Sequence, residues 1–184
     1  GNEWTQNIID QTKHMGKLIN QLLVLAKLDE VQEKSEKQEA DLKLLLEETI
    51  EPFEEVATQK KVTLKLHLEE GVTIRVNREQ IAQLVSILTE NAAKYVNDGG
   101  KIVWRLTKTQ HGAVLVVKNT TEKELPDTKR MFDRFYRSDS SRSSKTGGQG
   151  IGLSIAKKIV DSHKGSITAK AGDGMVTFRV SLPK

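Results

Sequence analysis

Gly147, Gly148, Gly150 and Gly152 crowd into a short run directly ahead of an amphipathic stretch, Gly150 to His163. Glycine lets backbone N–H groups come close to an anion, and a helix start adds unpaired donors and the positive end of the helix dipole. The combination suits a phosphate, with Gly148, Gly150, Ile151, Gly152 and Leu153 as the candidate cradle. A flexible linker with one glycine at a helix start is the plainer alternative, and four glycines weigh against it. No Gly-Lys-Ser/Thr follows, so the run is not a P-loop. A long polar loop precedes it rather than a strand, so it is not a dinucleotide fingerprint.

A second constellation is Glu90-Asn91-Ala92-Ala93-Lys94-Tyr95, at the end of an apolar-striped helix. Asn91 and Lys94 are spaced i, i+3 and share a face. An amide oxygen is a suitable Mg²⁺ ligand, and a lysine suits a phosphate oxygen. An ordinary polar helix end would look similar. Asn91, however, sits between the stripe residues Leu88 and Ala92. The third constellation is Phe132-Asp133-Arg134-Phe135-Tyr136-Arg137, which holds three of the chain's few aromatic residues. It reads as an aromatic anchor for the Arg- and Ser-rich loop that follows, and as a small satellite core.

These residues need elements to position them. Residues 3 to 38 read as one long helix with a heptad-like stripe through Ile8, Met15 and Leu22. The segment from Asp29 to Ala40 is charged and weakly periodic, and is expected to be a fraying helix end and linker. One amphipathic helix cannot bury its own stripe, so a partner helix is expected from another chain or from sequence outside this one. Asp41 is placed to cap a helix from Leu42 to about Lys60, which Pro52 should bend or split. Strands are expected over 62–68, 72–76, 101–109, 113–118, 166–170 and 175–182. A helix capped by Asn77 should end near Val96, and another should span 150–163. This order predicts an α+β fold, a two-layer sandwich. Residues 1–40 and 41–184 are the expected division.

The 184 residues carry 29 Lys+Arg and 25 Asp+Glu, a net charge of +4. Without a basic block in the sequence, a nucleic-acid partner is not expected. There is no Cys, which excludes a disulfide framework, a thiolate metal site and a Cys nucleophile. No apolar run approaches the ~20 residues of a membrane span.

Taken together, the three constellations resemble those of bacterial sensor histidine kinases and their ATP-binding domain of the GHKL type. Leu84 to Tyr95 is similar to that family's N box, Phe132 to Tyr136 to its F box, and Gly148 to Leu153 to its second glycine box. Gly172 to Phe178, followed by Leu182-Pro183, is similar to its closing pattern. Residues 3–30 resemble the second helix of the dimerisation and phosphotransfer hairpin. The resemblance implies a mixed sheet with helices on one face, ATP and Mg²⁺ as ligands, and transfer of the γ-phosphoryl group to a His outside this chain. It implies that Asn91 holds Mg²⁺, that Glu90 touches the site through water, and that Lys94 and Tyr95 lie along phosphates and sugar. Gly148, Gly150 and Gly152 would wrap phosphates, residues 137–147 would form a lid, and Thr177 would floor the adenine pocket. A response regulator, a homodimer built through the hairpin, and a cytoplasmic position in a membrane-anchored sensor are further implications.

Two features depart from the family pattern. Asn119 stands where an Asp is expected to accept the adenine amino hydrogen, and Thr121 and Lys123 replace two glycines of the first glycine box. That departure motivates an alternative reading as a nucleotide-weak, phosphatase-biased or scaffold module. The acceptor His of the first hairpin helix is also not in this chain. His14, His67, His111 and His163 are expected to be ordinary surface or core residues. A serine-kinase anti-sigma factor of the same superfamily is a third reading, disfavoured by the heptad helix.

Overall fold

The computed structural model describes residues 2–30, 36–122, 127–136 and 150–184. A long helix, α1 (Asn2–Glu30), precedes the short strand β1 (Gln38–Asp41). Two short helices follow, α2 (Leu42–Ile50) and α3 (Pro52–Gln59), then β2 (Thr63–Leu68), β3 (Thr73–Val76) and α4 (Arg78–Tyr95). The hairpin β4 (Lys101–Thr109) and β5 (Gly112–Thr120) leads to α5 (Gly152–Ser162), and the hairpin β6 (Ser166–Gly172) and β7 (Met175–Pro183) closes the chain.

Local chemistry accounts for the boundaries. The Asp41 carboxylate accepts from the Lys43 and Leu44 N–H groups and starts α2. Pro52 cannot donate an intrahelical bond, so the predicted single helix is split at Glu51. Asn77 Oδ1 accepts from Gln80 N–H at 2.9 Å and starts α4. One expectation fails. Gln38–Asp41 is not a fraying helix end but a strand, antiparallel to β3 with Ala40 opposite Ile74. Charge masks it, because Glu39 and Asp41 flank the single inward residue, the buried Ala40. Tertiary pairing with β3 overrides the weak local signal.

The main sheet has the order β2-β4-β5-β7-β6. β2 and β4 are parallel, joined by the crossover through β3 and α4, and the remaining pairs are antiparallel. Period-2 alternation sends Ile102, Trp104, Leu106, Leu115, Val117, Phe178 and Val180 to one face, where all are buried. Helix residues Leu42, Leu46, Ile50, Ile81, Leu84, Leu88 and Ile155 meet them in one contiguous core. α4 packs against α2, α5 and β5 and is the central helix of that layer. The expected two-layer α+β sandwich, with a mixed sheet and a preceding long helix, is the observed one.

α1 divides along its length. Trp4, Ile8, Met15 and Leu22 are exposed, whereas Leu25 is buried and Leu18, Val24 and Leu28 rest on the core. α1 packs on α5, and Asp29 near its end pairs with Arg134 at 3.3 Å and with Lys158. Among the described residues no helix is long and apolar enough to cross a membrane.

His163 is a core residue, as expected. It is 4 % exposed. Its Nε2 accepts from Asn77 N–H at 3.1 Å while Nδ1 lies 2.8 Å from the Ile159 carbonyl. Those partners fit the neutral ring, with the proton on Nδ1. Burial pushes its pKa below the usual 6.5, against a raising effect of the Ile159 carbonyl and with a smaller lowering effect of Lys37. A base with a depressed folded pKa binds fewer protons folded than unfolded. Its contribution to stability is therefore full above about pH 6.5 and is lost as pH falls through the lower folded value. Urea unfolding at pH 7.5 and 5.5 should show that loss. His163→Gln, which cannot titrate, should show a smaller difference between the two pH values.

Candidate functional site

The C-terminal half of α4 supplies one wall. Asn91, Lys94 and Tyr95 are half-buried and Glu90 is exposed. The Asn91 amide makes no hydrogen bond among the described residues. The Lys94 ammonium lies 5.0 Å from the centre of the Tyr95 ring. The Glu90 carboxylate is 3.4 Å from Lys17 Nζ of α1, both side chains about half exposed. Such a screened pair contributes about 0–1 kcal/mol and opens readily.

The start of α5 supplies the facing wall. Gly150 has φ +72°, and a Cβ there would lie 2.6 Å from the Tyr136 carbonyl oxygen and 2.8 Å from the Phe135 carbonyl carbon. The Phe135 N–H donates to the Gly150 carbonyl at 2.9 Å. The aromatic segment thus lies directly on the glycine, so any side chain at this position must displace backbone. Phe132 stacks edge-on against Phe178 of β7, with ring centres 6.2 Å apart, and ties the segment to the sheet. Arg130 lies over the Tyr136 ring. Among the described residues no side chain caps the start of α5, whose first N–H groups have no intrahelical acceptor.

The two walls meet. Space at Gly152 is bounded by Ile87 Cγ2 at 3.5 Å. Ile87 and Asn91 are spaced i, i+4, so Asn91 lies on the same face of α4 as the residue nearest Gly152. Ile151, proposed from sequence as a ligand contact, is 0 % exposed, and its side chain roots the turn in the core. Leu153 is half-buried and packs on the core. Gly148 and the expected lid, residues 137–147, lie outside the described residues.

Asn119 sits near the end of β5, on the helix-facing side of the sheet. Its Nδ2 donates to the Thr120 carbonyl at 3.1 Å. Its Oδ1 is buried with no partner among the described residues. A buried carbonyl oxygen without a donor is costly, and points to a donor supplied from outside. Thr177 does not join it. In the β5–β7 register Thr177 lies opposite Lys118, on the face away from the helices, and Val176 lies opposite Asn119. Val176, buried and apolar, is the residue beside Asn119 on that face. The alternation Val176, Phe178, Val180, Leu182 carried that signal in the sequence.

Two layers with an Asn on the central helix, a glycine turn at a neighbouring helix start and an acceptor on the sheet define a nucleotide-binding module. Residues 76–184 match the model of the histidine kinase-, DNA gyrase B-, and HSP90-like ATPases. This chain belongs to that family. It is 32% identical over its full length to the sensor protein DltS of Streptococcus agalactiae, covering 46% of that relative. It is 34% identical over 94% of its length to the sensor histidine kinase RppB of Synechocystis sp., covering 39% of it. The chain thus spans less than half the length of these curated relatives. Among solved structures, the catalytic domain of the histidine kinase ThkA aligns with a TM-score of 0.72 and 27% identity, over 81% of this chain and 96% of that one. ThkA in complex with the response regulator TrrA shares the fold, with a TM-score of 0.71 at 21% identity, over 92% of this chain and 49% of that one.

Proposed function

We propose that this chain is the ATP-binding catalytic part of a sensor histidine kinase and binds Mg-ATP between α4, the start of α5 and the Asn119 end of β5. The observation that carries the reading is the buried, unpartnered Oδ1 of Asn119. The adenine amino group supplies the hydrogen it lacks, and Val176 beside it offers an apolar surface for the ring. The α5 N–H groups take phosphate oxygens, and Lys94 adds charge. Among the described residues no His, Cys, Asp or Glu cluster could cage a metal alone. Mg²⁺ is held through one or two protein groups and the substrate phosphates; Asn91 would hold it, with Glu90 through water. When bound, the ion would supply positive charge that offsets that of the phosphates. The chain's own part is positioning. The acceptor is a His outside this sequence, the next receiver a response regulator, and the exposed stripe of α1 the surface for pairing into a homodimer. The cytoplasmic side of a membrane-anchored parent is the setting.

Calorimetric titration with Mg-ATP tests the reading: a folded chain that gives no heat at millimolar nucleotide overturns it. Asn119→Ala should weaken binding about tenfold, the worth of one neutral hydrogen bond in a dry site. Asn119→Asp should bring no gain, because a carboxylate oxygen would replace the Nδ2 donor against the Thr120 carbonyl. A large gain would instead support the nucleotide-weak reading.

A further inference from the structure

The five strands of the main sheet contain no Asp or Glu. Their outward positions carry Lys65, Lys101, Arg105, Lys118, Lys170 and Arg179, all exposed. Among the described residues none of the six has an acidic partner. The registers order them. One row runs Lys65, Val103, Lys118, Thr177, Lys170 across the sheet. The next runs His67, Arg105, Val116, Arg179, Thr168. Cations in a row are two strands apart, about 10 Å, and adjacent rows are offset. These six already exceed the chain's whole net charge of +4, so the rest of the molecule is net acidic. Five glutamates, Glu47, Glu48, Glu51, Glu54 and Glu55, lie on α2, α3 and their junction.

We propose that this open sheet face docks on an anionic lipid surface. Charge complementarity carries the inference, and the shape of the face selects among anions. The face bears no Phe, Tyr or Trp, so it lacks the stacking platforms of single-strand nucleic-acid sheets. It also lacks the buried aromatic anchors that concentrate protein–protein affinity. A two-dimensional grid of separate cations with small side chains between them fits a layer of mobile headgroups, which needs no register. Asn119 faces the opposite side of the sheet, so docking leaves the nucleotide cleft clear.

Vesicle co-sedimentation of the full chain provides the test, comparing phosphatidylglycerol/phosphatidylcholine vesicles with phosphatidylcholine alone. Binding is expected only to the anionic vesicles in low salt, and should vanish near 1 M salt, where the Debye length is about 3 Å. The triple variant Arg105→Gln/Lys118→Gln/Arg179→Gln should bind about 100-fold more weakly, with circular dichroism and ATP affinity unchanged. Arg105→Lys/Arg179→Lys keeps the charge and should keep the binding. Three results overturn the proposal: no binding to anionic vesicles in low salt, undiminished binding of the triple variant (which assigns binding to the apolar stripe of α1), or tighter binding to an oligouridylate of equal phosphate concentration than to vesicles.

Discussion

Replacing Asn91 with Ala is expected to leave the fold intact and to weaken Mg-ATP binding by about two orders of magnitude. Asn91 is half-buried on α4, its amide makes no hydrogen bond among the described residues, and it lies one turn beyond Ile87, the residue nearest Gly152 at the start of α5. No second amide or carboxylate on that face can substitute for it, because Glu90 lies a residue away and is turned toward Lys17. Ala has a higher helix propensity than Asn, so the melting temperature should hold or rise. Affinity measured with Mg²⁺ should fall by about 10²-fold, and phosphoryl transfer to a supplied hairpin carrying the acceptor His by about 10³-fold, the scale on which removing one charge-stabilising group acts. Affinity for ATP in EDTA should change little. Equal losses with and without Mg²⁺ would remove Asn91 from the metal's neighbourhood and assign it to the nucleotide alone.

Phe178→Ala should give the largest loss of stability near the site. Phe178 is 1 % exposed and fills the core beneath the aromatic segment. Emptying such a position costs about 3–5 kcal/mol, a large share of the ~5–15 kcal/mol that holds a domain together. The consequence reaches the cleft, because Phe178 supports Phe132, and the segment that Phe132 anchors holds Gly150 through the Phe135 N–H. Phe132 is only half-buried. Phe132→Ala should therefore cost less stability than Phe178→Ala and weaken ATP binding more in proportion. Urea unfolding of both single variants and the double variant should give a coupling of about 0.5–1.5 kcal/mol, the worth of an edge-on aromatic pair. A coupling near zero would mean the segment is held by Met131 and Arg130 rather than by the ring pair.

Much of the fold is written locally. Asp41 and Asn77 cap the helices they precede, Pro52 splits the helix it interrupts, and the 102/104/106 and 176/178/180/182 alternations mark buried faces. Such signals act within a few residues and survive without tertiary context. β1 was not legible, because a four-residue strand with one inward side chain has almost no pattern of its own. The site shows the same division. Asn91, Asn119 and Gly150 stand out by type and spacing. Thr177 attracts attention as the polar residue of a closing motif, yet one position of register turns it to the far side of the sheet, since successive strand side chains point to opposite faces.

The sequence by itself determines the element order, the helix starts and the candidate groups for a nucleotide, since capping, periodicity and glycine conformation are short-range properties. Three matters belong to the tertiary structure alone. Packing of α4 on α5 sets Ile87, one turn before Asn91, beside Gly152. The pinning of Asn119 Nδ2 on Thr120 leaves Oδ1 as the buried acceptor. Strand pairing gathers cations, interleaved with acids along the chain, onto one acid-free face. Each joins residues distant in sequence, and only register and packing set which side chains share a surface.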